Sequence, residues 1–343
     1  MHEARVLVVD DSAAMRALFC DILEQSKNVR VVGTAANAAE AWERIEDLSP
    51  NVLTLDVEMP GKSGIELLGD IMEERPMPVV MLSSLTQSGT ETSLKAYELG
   101  AVECFPKPLR ATPEQFNKAV SKLGKIVLAA ANSNVRNRQK HEHKASDVPF
   151  EWNGHIAAIC ASMGGIDALK QVFAHYPAHC PPTVVVLQAE PAVVATFIAK
   201  LDGELKCAVK TAKDGAPLSA GTIHVAADPD RHVVFEPGAP PRLRLVERDP
   251  VDGARPSATL LFGTVARAGV PAIGAVLTGI GEDGARGLKL MRDAGCRTIV
   301  EDPASATVAE APAAAVAAGA AEEVLEIGSL ARKLLATCSI NPG

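Results

Sequence analysis

The sequence predicts an α/β protein of two doubly wound domains, and three observations predict it. Short β-rich runs alternate with helix-period segments through the first 125 residues. The alternation stops in a polar stretch from Asn132 to Val148, then resumes at Ile156 and continues to the end. Strand–helix alternation implies parallel sheets covered on both faces by helices. A chain of 343 residues is also long for one core and comfortable for two.

In the first domain the expected strands are Arg5–Val9, Val29–Thr34, Val52–Leu55, Val79–Leu82 and Ala101–Phe105. Between them, Ser12–Gln25, Ala38–Leu48 and Ser88–Leu99 carry the amphipathic period of helices. Five strands make one five-stranded parallel sheet over residues 1–125. Residues 126–151, centred on "NSNVRNRQKHEHKASDV", read as a polar linker. Its His141 and His143 are expected to be solvated rather than metal-bound. From 152 to 343 buried-type runs recur at Ile156–Cys160, Thr183–Leu187, Ile273–Leu277 and Thr298–Val300. Between Lys206 and Val246 short runs broken by Gly and Pro suggest antiparallel hairpins at a sheet edge. Ala304–Ala321 reads as one close-packed helix, because Ala is the best helix former.

Composition excludes several functions. Aromatic residues are 3% of the chain, too few for stacking on single-stranded nucleic acid. The net charge of −8 argues against a phosphate-backbone binder, and no basic recognition helix appears. No apolar run approaches the ~20 residues of a membrane helix, so membrane insertion is not expected. The N-terminus enters a strand-like run directly, without a signal-peptide layout. Seven scattered cysteines form no C-x-x-C pair, which suggests neither a disulfide framework nor a zinc site. The chain is expected to be soluble and cytoplasmic.

Two sets of residues carry chemistry. Asp10 and Asp11 follow the first strand, Asp56 ends the third, Ser83 closes the fourth and Lys107 follows the fifth. In a parallel sheet these strand ends share one edge, the usual ligand edge. Three carboxylates converging there call for a hard divalent cation, and oxygen-only ligation suits Mg²⁺. With a hydroxyl and an ammonium beside them, these are the parts needed to phosphorylate an aspartate. The second set begins at "HIAAICASMGGIDAL", where Ser162 sits on a strand-to-helix corner, a place suited to a nucleophile. Serine needs a base to act.

"VVDDS", "LDVEMPGKSG", "LSS" and "FPKP" resemble the receiver domain of bacterial response regulators over residues 1 to about 125. The resemblance implies that Asp56 is the phospho-acceptor and that Asp10 and Asp11 hold Mg²⁺. It further implies that the backbone carbonyl of Glu58 completes the metal site and that Ser83 and Lys107 sense the phosphoryl group. A switch aromatic often lies three positions before the lysine; here that position is Cys104, beside Phe105. The whole chain, through "AKDGAPLSAG", "ARPSATLLF" and "VLTGIGEDGARGL", resembles the CheB family of chemotaxis methylesterases. That resemblance implies an α/β serine-hydrolase-like second domain that removes methyl esters from receptor glutamates and deamidates receptor glutamines. The implied partners are a chemotaxis histidine kinase and methyl-accepting chemoreceptors. Phosphorylation would relieve occlusion of the serine by the receiver domain.

By the same resemblance Ser162 is the nucleophile and Asp283 the carboxylate that orients a histidine base. The family's Gln-His-Met-Pro stretch reads Gln188-Ala189-Glu190-Pro191 here, so Ala189 occupies the base position. Removing a triad base can cost on the order of a millionfold in kcat, roughly 8 kcal/mol. Cys160, Met163, Ala254 and Glu310-Ala311-Pro312 depart from the family pattern as well. Glu190 adjoins the missing base but points to the opposite face unless the chain is turning there. His155, His175, His179, His224 and His232 match no family base position and read as surface or packing residues. The backbone N–H groups of Met163 and Gly164 are expected to form an oxyanion hole. Two readings follow: a phosphorylation-controlled esterase with a substitute base, or a phosphorylation-dependent binding module or phosphate sink without catalysis.

Overall fold

The structure, a computed structural model, describes residues 2–83, 87–108, 113–135 and 150–341. It divides into two compact units, Met1–Arg138 and Gln139–Gly343. His141 and His143 lie outside the described residues.

The first unit alternates strictly: β1 (Ala4–Val9), α1 (Ala13–Glu24), β2 (Val29–Ala35), α2 (Ala38–Leu48), β3 (Val52–Asp56), α3 (Gly64–Glu74), β4 (Val79–Ser83), α4 (Gln87–Leu99), β5 (Glu103–Pro106) and α5 (Pro113–Ala131). The sheet order is β2-β1-β3-β4-β5 and every pairing is parallel. β3 and β4 are buried at every residue because helices cover both faces. Helix starts follow the sequence: Ser12 and Asn37 accept from Met15 N and Glu40 N, and Ser63 with Glu66 forms a capping box on α3. α5 runs six residues past position 125, so the first residues assigned to the linker are helical.

The second unit comprises β6 (Ile156–Ala161), α6 (Gly165–Phe173), β7 (Thr183–Leu187), α7 (Pro191–Glu204), β8 (Ala208–Thr211), β9 (Thr222–Ala226), β10 (His232–Glu236), β11 (Arg242–Val246), α8 (Ala258–Ala268), β12 (Ala272–Val276), α9 (Ala285–Asp293), β13 (Arg297–Glu301), α10 (Glu310–Ala317), β14 (Glu323–Leu325) and α11 (Ile327–Thr337). Seven strands form a parallel sheet in the order β14-β13-β12-β6-β7-β9-β8.

Two expectations are corrected. Only β10 and β11 form an antiparallel hairpin, and they make a separate two-stranded sheet. β8 and β9 are parallel members of the main sheet, because Ile223 and Val225 are fully buried and seat β9 between β7 and β8. The Ala-rich segment is helical only over Glu310–Ala317. Ahead of it Asp302 makes a turn, its Oδ1 accepting Ala304 N–H at 2.9 Å and its carbonyl accepting Ser305 and Ala306 N–H at 2.9 Å each. Those local bonds, with Pro303, override alanine's propensity.

Candidate functional site

Each unit gathers polar side chains at the carboxyl edge of its sheet. In the first unit Asp10, Asp11 and Asp56 each present a carboxylate oxygen within 4.8 Å of the others. Lys107 Nζ lies 2.9 Å from Asp10 Oδ2 and 2.7 Å from Asp56 Oδ1. Asp10 and Asp56 are buried and Asp11 is exposed. Burial pushes the Asp56 carboxyl up; the Lys107 bond opposes this and Asp10 reinforces it. Burial likewise works against the Lys107 charge, but its bonds to Asp56 and Asp10 outweigh it and leave the ammonium above its ordinary range. Three carboxylates face one ammonium, a donor set with charge to spare for a divalent cation. Backbone N–H groups of Ser12 and Glu58 fix Asp10 Oδ1 and Asp56 Oδ1 at 2.9 and 3.2 Å. Gly64 closes the loop after Asp56, where a Cβ would stand 1.8 Å from the Asp56 carbonyl oxygen. Ser83 Oγ accepts from Ser93 Oγ at 3.1 Å on the same edge. Sequence reasoning missed Tyr97: this buried α4 phenol accepts the Cys104 N–H at 3.0 Å and bonds the Glu103 carboxylate, putting an aromatic beside the cysteine.

In the second unit the edge is built by β13, β12, β6 and β7, which are adjacent. Ser162 follows β6 and is buried. Its N–H donates to the Thr278 carbonyl at 3.1 Å, and its Oγ accepts the Ile280 N–H at 3.0 Å. Thr278 and Ile280 belong to the loop after β12, so two neighbouring strands hold the serine. At Gly279 a Cβ would stand 2.2 Å from Ser162 Oγ, so only glycine passes there. The N–H beside Oγ is that of Ile280. Glu310, the first residue of α10, reaches the same loop and accepts the next amide, Gly281 N–H, at 3.1 Å.

Asp283 ends that loop, and its carboxylate is buried and fully engaged. Oδ1 accepts from Ser257 Oγ at 2.6 Å and Thr259 N at 3.1 Å; Oδ2 accepts from Gln188 Nε2 at 2.6 Å and Ala258 N at 2.7 Å. Three of those donors form the first turn of α8, where a carboxylate also meets the favourable end of the helix dipole. The fourth, Gln188, also donates to the Pro256 carbonyl at 3.1 Å. Sequence reasoning missed the Gln188 amide, since nothing local pairs it with a residue 95 positions on. Among the described residues no histidine bonds Ser162 or Asp283, and the Ser162 hydroxyl donates to no protein group. His232, fully buried, accepts the Ser257 N–H on Nδ1 at 3.1 Å and faces the Asp249 carbonyl with Nε2, a packing role as expected. Glu190 is the half-buried N-cap position of α7, and its carboxylate makes no bond among the described residues.

The CheB methylesterase family model matches residues 157–334, and the response regulator receiver domain model matches residues 6–121. The chain belongs to the CheB methylesterase family. It is 42% identical over 343 residues to the protein-glutamate methylesterase/protein-glutamine glutaminase 1 of Caulobacter vibrioides, covering 99% of both chains. To the protein-glutamate methylesterase/protein-glutamine glutaminase of Agrobacterium fabrum it is 41% identical, covering 97% of this chain and 96% of that one. Among solved structures, the CheB methylesterase catalytic domain of Thermotoga maritima superposes with a TM-score of 0.51 at 26% identity, covering 53% of this chain and 98% of that one. The two-domain α/β architecture is therefore that of a receiver-bearing CheB protein. Its receiver domain carries the acidic pocket of Asp10, Asp11 and Asp56 that this domain class uses for a divalent metal. No helix among the described residues is long and apolar enough to cross a membrane.

Proposed function

We propose that this CheB-family chain is a phosphorylation-controlled protein-glutamate methylesterase and protein-glutamine glutaminase. It acts in the cytoplasm on methyl-accepting chemoreceptors and takes its phosphoryl group from a chemotaxis histidine kinase. The observation that carries the reading is Ser162, held on a strand-to-helix turn with the Ile280 N–H 3.0 Å from its Oγ. That bond, with the Ser162 N–H held by the Thr278 carbonyl, fixes the serine at the corner from which a nucleophile is presented. Ser162 Oγ attacks the glutamyl ester or amide carbonyl and methanol or ammonia leaves. Water then releases the glutamate carboxylate.

With Ala189 at the imidazole position, the serine's proton passes to a carboxylate. Asp283 and Glu301 are committed to other bonds; Glu310 is tethered to the amide next to the one that holds Ser162 Oγ, whereas the Glu190 carboxylate makes no bond among the described residues. Asp283 anchors the first turn of α8 and Gln188. In the receiver domain Asp10, Asp11, Asp56 and the Glu58 carbonyl suit Mg²⁺, which offsets charge on a transferring phosphoryl group when bound. Asp56 accepts the phosphoryl group, and Lys107 and Ser83 meet its oxygens. Methanol release from methylated receptor, by protein treated with acetyl phosphate and Mg²⁺, tests the reading: release that disappears in Ser162→Ala supports it. No release from folded, phosphorylated native protein moves the chain to the binding-module reading.

A further inference from the structure

Glu301 ends β13, beside β12, and its side chain takes no part in the chemistry described above. It is 4% exposed, and among the described residues no lysine or arginine pairs with it. A carboxylate in such a place is costly unless its bonds repay the burial. Its Oε2 accepts the Thr278 N–H at 2.7 Å. Thr278, fully buried, is the node that holds the nucleophile's turn. Its carbonyl accepts the Ser162 N–H at 3.1 Å; its Oγ1 donates to the Met163 carbonyl at 3.0 Å and accepts the Val308 N–H at 2.8 Å. One residue further on, Gly279 packs against Ser162 Oγ, and Ile280 donates to it. Glu301 is thus two hydrogen bonds from the Ser162 backbone, through one residue.

We propose that Glu301 is a positioning residue for Ser162, its ionised form gripping the Thr278 N–H and setting the nucleophile's turn. The proposal rests on the reading that Ser162 turns over. A charge-assisted hydrogen bond is roughly twice as strong as a neutral one, so the grip depends on protonation. Burial pushes the Glu301 carboxyl up to about 7; the Thr278 N–H opposes the rise, and Asp167 and Asp302 add to it. Asp167 faces it from α6 and Asp302 is its chain neighbour. Other charges on the packed elements have partners of their own. Arg297, at the far end of β13, is bound by Glu322 and Glu323, and Lys333 of α11 by Glu323 of β14. Lys289 of α9 is bound by Asp293, and Glu310 of α10 holds Gly281 N–H. The node therefore changes state near neutrality.

The test uses the full chain, phosphorylated with acetyl phosphate and Mg²⁺, as native protein, Glu301→Gln and Glu301→Asp. Methanol release from methylated receptor is followed from pH 5.5 to 8.5, with the amide resonances of Thr278 and Ser162 over the same range. The native kcat is expected to rise severalfold through about pH 7 while KM moves less than twofold. Glu301→Gln loses that limb, and Glu301→Asp keeps a titration but lowers kcat, because its carboxylate falls short of Thr278. Thr278 and Ser162 amides titrate together in the native chain and are flat in Glu301→Gln. Identical pH profiles in the native and Gln proteins would overturn the proposal. If the native protein releases no methanol, the enzymatic reading fails and the amides decide: a Ser162 amide that follows Thr278 supports positioning, and a flat one overturns it. Should Glu301→Gln not fold, the Asp variant and the native titration decide on the same terms.

Discussion

Asp283→Ala isolates the part of the site that is structural. The carboxylate accepts four hydrogen bonds, from Ser257 Oγ, Ala258 N, Thr259 N and Gln188 Nε2. The N-cap of α8, Ser257, keeps its own bond to Leu260 N–H in this variant, so the cost is that of the donors left without an acceptor. Each buried donor left without an acceptor adds about 1–3 kcal/mol, less where water can enter, as beside half-buried Gln188. The sum for Asp283→Ala is about 3–5 kcal/mol of stability in the second unit. At roughly 2–4 °C per kcal/mol for a domain of this size, its melting transition falls by roughly 6–20 °C. Ser162→Ala gives up one accepted bond and is expected to cost less than about 1 kcal/mol. Thermal and urea unfolding of the native protein and both variants measures this. An Asp283→Ala protein within about 1 kcal/mol of native would refute the assignment of Asp283 as the anchor of the first turn of α8.

Other consequences can be measured alongside. Gly279→Ala places a methyl 2.2 Å from Ser162 Oγ; it is expected to abolish methanol release and cost about 1–3 kcal/mol, and a fully active variant would contradict the packing of that loop. Glu301 has its folded-state carboxyl raised to about 7, against about 4.3 for an unfolded glutamate. Its contribution is therefore fully present below about pH 4.3 and is lost as pH rises to 7. Relative to Glu301→Gln, the native protein should lose about 4 kcal/mol over that window; melting curves that stay parallel across it would count against the buried carboxyl. Asp56→Asn is expected to prevent labelling by acetyl phosphate, and EDTA to prevent it in the native chain; labelling in either case would displace the phosphorylation chemistry from this pocket. Glu310→Gln is expected to lower native methanol release at least tenfold, and an unchanged rate would remove Glu310 as proton acceptor.

The receiver half was legible because its chemistry sits at the ends of strands that announce themselves. Asp10, Asp56 and Ser83 each follow or close a Val/Leu-rich run, Lys107 follows the short run Glu103–Pro106, and a parallel sheet delivers such ends to one edge. The second site was only half legible. Ser162 could be read from its turn and the departure at Ala189 from its own stretch, since both are local. The Gln188–Asp283 bond and the Glu301–Thr278 bond could not, because each depends on which strands become neighbours. The order β13-β12-β6-β7 decides that, and no periodicity encodes it. The same blindness explains β8 and β9: a short Gly/Pro-flanked run looks alike whether it enters a parallel sheet or a hairpin, and burial of Ile223 and Val225 makes the choice. The shortened α10 reflects a local signal: the turn at Asp302 and Pro303 outweighs a run of alanines.

The central claim is that Ser162 is a working nucleophile although, among the described residues, no histidine bonds it. Methanol release from methylated receptor, by phosphorylated native protein, Ser162→Ala and Ala189→His side by side, tests it most directly. The account predicts slow release from the native chain, none from Ser162→Ala, and a large gain in Ala189→His. Silence from folded, phosphorylated native protein would contradict it, whatever the histidine variant does.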